Sequence, residues 1–597
     1  MLIGLCVTGT VLWTLHAESW DLGRRSPVLN FDSAQYAVAA RELAVHGRLA
    51  TTFAVPLELV RHGAPPWPLA VVQPGLVLAE AAIFKLAPER LMLAGREVAR
   101  WQRPDEREWL LLSLPFTCFL LIPCVIALAV LKLLRSHAPS LSPWLAASAG
   151  LLCGLVFVLD PEAQHFATGG FTEMPFTCGL VVSFAMLALG VPPKRPFIFG
   201  LVLGITGLFR GNMLWLAPAF ALAAASLAPP ERRLRVAALC LAGYALPLAP
   251  WWYYKWRTFG SPAWDLSALA LWEGVEGRNW FTLVHDTAMP AVPHGAEAAR
   301  LLAAKLARNA LDLSLMILPG LRAVWLGALL VIPFSRSIPK RLRVTAIVAL
   351  VALALNLIVA SLGVPHLRYL FPARIVADVA GALALLTLAS RLPRFGFSPV
   401  AARTVLAALA AATVLWGSLQ TARGNQEAAA TSRERGLPGT LSLLQLAVIM
   451  NREIPAGIPV MSNLGPNLAW HARRPVIHLA LSPDDIAACR RLQDFGHVLL
   501  VFRDPMKAWP GWRDLMAHPT EAIHRPEWNV RRSRVFETSD GFTVIWLDLG
   551  PREPGLAALP ACSLSAPIRS APRFARPGER RESTGRKGSI TVQPRPA

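Results

Sequence analysis

Long apolar runs recur along residues 1–420 and are separated by short polar segments. Most of the runs approach the ~20 apolar residues that an upright membrane-spanning helix needs. Together with the N-terminal run, Met1–His16, they predict about eleven spans in a mainly α, polytopic membrane helix bundle. The other runs lie at 109–131, 143–159, 172–191, 197–209, 211–228, 236–250, 320–335, 344–362, 370–390 and 402–418.

The pattern changes after the last predicted span. Residues 421–550 contain short strand-like segments, such as 457–463, 475–479, 497–502 and 542–549, with a capped helix between two of them. They predict a small soluble α/β module. From 551 to 597, Pro, Arg, Ser and Gly dominate without apolar periodicity, which is typical of a disordered tail. The predicted domains are therefore 1–420 (transmembrane), 421–550 (module) and 551–597 (basic tail).

The charge distribution predicts the orientation of the spans. The formal net charge is +21, yet only 16% of the residues are charged and 54% are hydrophobic. A nucleic-acid-binding protein with this excess would be rich in charge overall, so nucleic acid is not an expected partner. Every second loop is strongly basic, as the positive-inside rule requires of cytoplasmic loops. These loops lie at 132–135, 194–195, 231–235, 336–343 and 391–403.

The alternate loops are electrically balanced. Residues 17–108 contain 11 basic and 11 acidic residues, and residues 251–319 contain six of each. These two loops are therefore predicted to lie outside, with the N-terminus in the cytoplasm and the module outside. The run 69–88 must then not cross, and it suits an interfacial or re-entrant helix.

The polar stretch 30–52 follows the first span and begins an Ala-rich helix that ends at Gly47. In the simplest interpretation, Asp32 or Ser33 caps this helix. In the alternative, Asp32 presents a carboxylate at the outer membrane face, where it can act as a general base. Tyr36 lies one turn further along the same helix face.

The loop 158–176 carries three acids, Asp160, Glu162 and Glu173, and no basic residue. Helix capping explains Asp160, but it explains Glu173 less well because this acid begins an apolar run. Charge at a membrane is costly and usually functional. An uncompensated acidic loop can bind a divalent cation or a hydroxyl-rich ligand. His165, in the same loop, is explained more simply as a solvated histidine than as a ligand.

Two arginines lie at predicted outer span ends, Arg210 in FRGN and Arg368 in HLRYLFPAR, where Tyr369 follows. Snorkelling arginines and an aromatic belt explain these residues without a function. In the functional interpretation, outward-facing arginines next to an apolar groove suit a lipid-linked phosphate, which a guanidinium binds bidentately. Both interpretations stay open at this point.

These features, in this order along most of the chain, resemble the bacterial multi-pass type C (GT-C) glycosyltransferases. That superfamily includes the protein O-mannosyltransferases and the lipid A aminoarabinose transferase. The matching motifs are Asp32, Tyr36 and Ala40 in the first outer loop, QPGLVLAEAAIFKLAP, FTEMPF with Glu173, LFRGNMLWLAPA with Arg210, LPLAPWWYYKWRTFGSP, HLRYLFPA with Arg368 and Tyr369, and IPAGIPVMSNLGPNLAWHARRP in the module.

The resemblance implies transfer of a sugar from a polyprenyl-phosphate donor to an envelope acceptor, at the periplasmic face of the bacterial inner membrane. A lipid-phosphate leaving group needs no nucleotide-binding loop, and the chain contains neither GxxxxGK[ST] nor a strand-bound GxGxxG. In this hypothesis the catalytic residues are Asp32 and Glu173. The substrate-binding residues are Tyr36, Asp160, Glu162, His165, Arg210, Arg368 and Tyr369.

The expected partners are the polyprenyl-phosphate sugar donor, a glycolipid, glycan or protein acceptor, and membrane lipid. Many relatives carry an acidic pair in the first loop, whereas Ser33 follows Asp32 here. This departure leaves open whether a divalent cation is used and which residue is the second carboxylate, and no other cofactor is predicted. Two other classes are also open. A secondary transporter predicts ionisable residues near span centres and repeat symmetry. A non-catalytic membrane scaffold, with a partner bound to the module, leaves the acidic loop unexplained.

Overall fold

The computed structural model describes residues 1–62, 64–86, 106–137, 142–389, 398–434, 437–507, 509–518 and 528–551. The predicted basic tail lies outside these residues, apart from its first residue.

Helices dominate the described part of the chain up to Glu434. Each of the eleven predicted apolar runs coincides with a helix, because a backbone in lipid must satisfy its own hydrogen bonds. The helices are α1 (Leu2–Ser19), α2 (Phe31–His46), α3 (Pro56–Leu59), α4 (Pro74–Leu86), α5 (Glu106–His137), α6 (Pro143–Val158), α7 (Pro161–Thr168), α8 (Glu173–Ala188), α9 (Pro196–Phe209), α10 (Met213–Ser226), α11 (Arg233–Phe259), α12 (Trp280–Val284), α13 (Gly295–Ile317), α14 (Leu321–Val331), α15 (Lys340–Leu362), α16 (Leu367–Ala389) and α17 (Pro399–Glu434).

The protein is a multi-pass membrane protein. Within the described residues, five helical segments are long and apolar enough to cross a membrane, those in α5, α11, α15, α16 and α17. Two bent pairs, α6 with α7 and α13 with α14, raise the number of candidate spans to seven, and α8, α9 and α10 are shorter apolar helices.

The bends in the two pairs have local causes. The break between α6 and α7 is 61° and falls at Pro161, whose ring cannot continue a helix. The break between α13 and α14 is 107° and falls at Gly320, which has a φ of +69°. A side chain at Gly320 would also meet the Trp416 ring at 2.3 Å, so a glycine is required there.

A mixed-sheet module follows the bundle, as the sequence predicts. The four predicted strand segments all form strands, and Val530–Glu537 forms a further strand that was not predicted. The module helices are α18 (Thr440–Glu453), α19 (Pro466–Ala472), α20 (Ile486–Leu492) and α21 (Arg513–Ala517). The strands of the chain are β1 (Ala50–Thr51), β2 (Phe53–Ala54), β3 (Trp67–Pro68), β4 (Val460–Ser462), β5 (Val476–His478), β6 (His497–Phe502), β7 (Val530–Glu537) and β8 (Thr543–Leu549).

The six-stranded sheet has the order β2-β5-β4-β6-β8-β7. Strands β2, β5, β4 and β6 are parallel to one another, and β8 pairs antiparallel with both of its neighbours, β6 and β7. The edge strand β2 comes from the first predicted outer loop, and its Phe53 lies opposite Val476 of β5. The loop that contains Asp32 therefore contributes a strand to the C-terminal sheet.

Helix α19 of the module holds α2 at two places. The Asn467 side-chain amide donates to the Leu29 carbonyl oxygen at 2.8 Å, just before α2 begins. The Arg41 guanidinium, in the third turn of α2, donates to the carbonyl oxygens of Trp470 at 2.7 Å and Ala469 at 2.9 Å. The module thus fixes the position of the helix that carries Asp32.

Candidate active site

Asp32 lies in the first turn of α2 but does not cap it. The cap is Asn30, whose side-chain oxygen accepts from the Ser33 amide at 3.0 Å and whose amide group donates to the Gly169 carbonyl oxygen at 2.6 Å. The predicted cap at Asp32 or Ser33 is therefore wrong, because the helix begins earlier, at Phe31. The Asp32 carboxylate remains 36% exposed and accepts from Arg368 Nη1 at 2.5 Å.

Glu173 is the first residue of α8, and its side chain is completely buried. Its carboxylate forms an ion pair with Arg210, at 2.6 Å from Nη1, and accepts a hydrogen bond from Arg368 Nε. Thr172 Oγ1 donates to the other carboxylate oxygen at 3.4 Å. The Arg368 guanidinium therefore bridges Asp32 and Glu173, which come from different elements of the fold.

The two arginines also pack on aromatic faces. The Arg210 guanidinium lies 5.2 Å from the centre of the Tyr369 ring, and that of Arg368 lies 4.5 Å from the centre of the Phe171 ring. Carboxylates and aromatic faces hold these guanidinium groups, so snorkelling to the interface does not describe them.

Tyr36 lies one turn after Asp32 on α2, and its hydroxyl lies near the Thr172 side chain. Burial, and next the negative charges of Asp32 and Glu173, raise the pKa of Tyr36 above its usual value. The hydroxyl therefore stays protonated at neutral pH. We call the residues brought together here the Arg368 cluster: Asp32, Tyr36, Glu173, Arg210, Arg368 and Tyr369.

Two further predicted site residues, Asp160 and Glu162, belong to a separate group. Asp160 caps α7 by accepting from the backbone amide of Glu162 at 3.0 Å, and it also binds Arg374 at 2.8 Å and Arg322 at 3.0 Å. Arg374 binds Glu162 at 3.1 Å and Asp378 at 3.1 Å. We call this group the Arg374 cluster: Asp160, Glu162, Arg322, Arg374 and Asp378.

Asp160 and Glu162 have no basic partner within their own loop, yet both are compensated in the fold. Their partners, Arg322 and Arg374, lie far later in the chain, at the start of α14 and in α16. Arg322, Arg374 and Asp378 were not among the residues predicted from the sequence. A signal was present, because Arg374 and Asp378 are ionisable residues four apart inside an apolar run.

His165 belongs to neither cluster. In α7 its ring packs against the rings of Trp20 at 5.5 Å, His16 at 6.0 Å and Phe171 at 5.5 Å. The Phe171 ring, which His165 contacts, also packs against the Arg368 guanidinium. His165 is therefore placed behind Phe171, in an aromatic group that supports the Arg368 cluster.

The described residues contain no group of three or more His, Cys, Asp or Glu side chains that could hold a metal ion. In the Arg368 cluster, both carboxylates are already paired with arginines. This arrangement does not fit a divalent cation, because neither carboxylate is left without a positive partner.

Comparison with known proteins shows a likeness in structure only. No protein-family model matches the chain, and no curated protein sequence matches it. The structure resembles ArnT from Cupriavidus metallidurans bound to undecaprenyl phosphate, with 11% identity and a TM-score of 0.53, over 93% of this chain and 98% of ArnT. For the apo state of the same ArnT, the identity is 12% and the TM-score 0.50, over the same shares of both chains.

At this level of identity the likeness shows the fold. The chain has a fold of the GT-C membrane glycosyltransferase type, and the resemblance expected from its sequence motifs is confirmed at the level of the fold. The likeness covers both the helix bundle and the C-terminal mixed-sheet module, since it extends over most of the two chains.

Proposed function

We propose that this protein transfers a sugar from a polyprenyl-phosphate-linked donor to an envelope acceptor, which is a glycolipid, a glycan or a protein. The observation that carries the proposal is a solvent-accessible carboxylate, Asp32, held beside two arginines in a GT-C fold. The undecaprenyl phosphate bound to the similar ArnT supports the donor class.

The proposed reaction needs one base and a means of stabilising a phosphate. The acceptor hydroxyl oxygen attacks the anomeric carbon, a new carbon–oxygen bond forms, and the bond to the lipid phosphate breaks. Asp32 takes the hydroxyl proton, since its carboxylate is 36% exposed while that of Glu173 is fully buried. The electron pair leaves with the phosphate, whose developing charge Arg210 and Arg368 stabilise.

The other predicted site residues take supporting roles in this proposal. Glu173 positions the two arginines, because its carboxylate contacts both of them. Tyr369 and Tyr36 border the same cluster and suit contacts with the sugar or lipid. Asp160, Glu162 and His165 brace α7 rather than contact substrate, since their partners are protein side chains.

The proposed topology follows from loop charge. The basic loops lie inside and the balanced loops outside, which places the N-terminus in the cytoplasm and the module in the periplasm of a bacterial inner membrane. Asp32 and the module then lie on the same side, in agreement with the contacts between α2 and α19.

The substitution Asp32→Asn tests the proposal most directly. Membranes with the wild-type protein are expected to transfer sugar from an extracted polyprenyl-phosphate-sugar fraction, and Asp32→Asn is expected to lower turnover ~10²–10⁴-fold, as loss of a general base does. Asp21→Asn is the matched control, because Asp21 is also an outer-loop aspartate paired with an arginine, Arg25. Unchanged turnover in Asp32→Asn would remove Asp32 from the mechanism.

Mass spectrometry of envelope glycolipids and glycans from a deletion strain identifies the acceptor.

A further inference from the structure

The connection between α11 and α13, residues 260–294, contacts the module through two histidines. His285 follows α12, and His478 is the last residue of β5. His285 Nε2 and His478 Nδ1 lie 2.7 Å apart, and each residue is only 3% exposed. Two segments that are far apart in the chain are therefore joined by a buried hydrogen bond between two imidazole rings.

The hydrogen bonds define the proton positions in this pair. His285 Nδ1 lies 2.9 Å from the Phe281 carbonyl oxygen, which can only accept, so this nitrogen carries the proton. His285 Nε2 is then an acceptor, and His478 Nδ1 donates to it. This assignment, which follows from the hydrogen-bond network, makes both rings neutral. A second proton on His285, at Nε2, would face the N–H group of His478, so the arrangement requires a neutral His285.

Aromatic rings surround the two imidazoles. The centre of the Trp509 ring lies 4.7 Å from that of His285 and 5.3 Å from that of His478. The ring centres of Phe31 and Phe53 lie 5.2 Å and 5.9 Å from that of His478. Burial of a charge among such side chains is costly, so the surroundings also favour the neutral pair.

Phe31 connects the pair to the Arg368 cluster. It is the first residue of α2 and precedes Asp32, the proposed base. The Gly465 backbone, with a φ of +52°, contacts both rings, since a Cβ atom there would lie 2.6 Å from His478 Cδ2 and 2.8 Å from Phe31 Cε2. In packing this close, a shift of the His478 ring changes the position of Phe31.

None of the titratable groups that the structure describes around the pair forms an ion pair or a hydrogen bond with either ring. Asp32 pairs with Arg368, while Glu58, Asp286 and Asp485 accept from backbone amides. Strands β2 and β4 carry no titratable side chain. The groups in the other neighbouring segments are Asp286 beside His285, Glu58, Arg61 and His62 in and after α3, Asp265 before residues 266–272, Asp32 in α2, His471 in α19, and Asp484 and Asp485 between β5 and α20.

The protonation of the pair depends on its burial. Burial lowers the pKa of His285 to about 4, and burial, followed by the neighbouring imidazole, lowers the pKa of His478 well below its usual value. A histidine released to water has a pKa of about 6.5 and takes up the proton more readily. The contact is therefore at full strength above about pH 6.5 and weakens as the pH falls towards about 4.

We propose that His478 is a positioning residue for Asp32, held in place by its hydrogen bond to a neutral His285. This inference deepens the proposed function and rests on it for the role of Asp32. His478 supports Phe31 at the start of α2, while His285 holds residues 260–294 against the module. Loss of the bond gives freedom to the turn that carries the base, so the geometry for proton removal is reached less often and kcat falls.

Sugar transfer by the full-length protein in nanodiscs tests the inference with two variants of His285. His285→Leu removes the acceptor and is expected to lower kcat about tenfold at pH 7.5, with the KM for the donor within threefold of the wild type. His285→Gln keeps a neutral acceptor and is expected to retain kcat within threefold. His497→Leu is the matched control and is expected to show wild-type kinetics. His497 begins β6, at the end of the parallel strands opposite to His478.

Hydrogen exchange of the same preparations, expressed as protection factors, reports on the contact without sugar transfer. The measured amides are those of residues 282–285 and 33–34. Between pH 7.5 and pH 5, their protection in the wild type is expected to fall about tenfold or more, because a released His285 takes up a proton. In His285→Gln, which lacks that titrating ring, the loss is expected to stay below threefold.

The inference is overturned if His285→Leu keeps kcat within twofold of the wild type, if its loss appears in KM instead, or if protection in the wild type is the same at both pH values. Exchange also separates this inference from the proposed function. Loss of protection in acid by a protein that transfers no sugar contradicts the proposed function alone, whereas unchanged protection in an active protein contradicts this inference alone.

Discussion

The Arg368 cluster and the Arg374 cluster are both built around an arginine of α16, but they differ in how far their carboxylates are exposed to solvent. Arg368 and Arg374 are six residues apart on α16, a rise of ~9 Å. In the Arg368 cluster the Asp32 carboxylate is 36% exposed, whereas in the Arg374 cluster Asp160 is 6% exposed and Arg374 4%. The residue types are the same, so accessibility rather than charge separates a candidate reaction site from a structural ion network.

The Arg374 cluster has a clear structural task. Asp160 caps α7 at the break after α6, and Arg374 ties this cap to α16 while Arg322 ties it to the start of α14. Both bent helix pairs thus meet α16 at one ion network. Burial of so many charges is tolerated only when each is paired and hydrogen-bonded.

The largest expected effect follows from Arg374→Met. This change leaves Asp160, Glu162 and Asp378 near one another with Arg322 as the remaining cation. Removal of one partner from a buried ion network costs ~3–5 kcal/mol. We expect a strong loss of folded protein, measured by size-exclusion chromatography and thermal melting in detergent. If the Arg374→Met variant melts at the same temperature as the wild type, the Arg374 cluster does not stabilise the fold.

Arg368→Met is expected to lower the rate of sugar transfer strongly and the stability of the protein only moderately. Asp32 is partly hydrated and the buried Glu173 keeps Arg210, so the stability loss is expected to be smaller than that of Arg374→Met. Loss of one group that stabilises the leaving phosphate costs about 10²–10³-fold in turnover. Melting and sugar transfer are measured on the same preparations. Equal loss of folding in Arg368→Met and Arg374→Met would erase the distinction between the clusters.

Asn467→Leu sharpens the comparison, because the module holds α2, which carries Asp32 of the Arg368 cluster. The change removes the hydrogen bond to Leu29, next to α2, and is expected to lower kcat about tenfold with little change in the KM for the donor. Asn463→Leu is the matched control, since Asn463 makes the same kind of bond to Val501 within the module. Identical kinetics for both variants would indicate general destabilisation of the module instead.

The smallest expected effect is that of Asp32→Asn on stability. An ion pair with this exposure contributes ~0–1 kcal/mol, so the melting temperature is expected to stay close to that of the wild type. Asp160→Asn should lower it clearly, because that carboxylate is buried between two arginines. If Asp32→Asn lowers the melting temperature more than Asp160→Asn does, the Arg368 cluster is the structural ion network and the Arg374 cluster is not.

The amino-acid sequence determined the elements and part of the site. Apolar runs locate the helices for two reasons. A segment that crosses lipid needs a long apolar stretch, and its backbone groups must form hydrogen bonds within the segment, as they do in a helix. Short alternating segments located β4, β5, β6 and β8. The interpretation of Asp32, Glu173, Arg210 and Arg368 as one group agrees with their contacts, since all of them fall at the same ends of the apolar runs.

Only the tertiary structure decided which charges meet. It gave Asp160 the partners Arg322 and Arg374, moved the cap of α2 to Asn30 and added β2 to the C-terminal sheet. The physical reason is that periodicity reports which face of an element is buried. Pairing between residues far apart in the chain depends on the register between helices, and the glycines of α9 fix that register through close backbone contact.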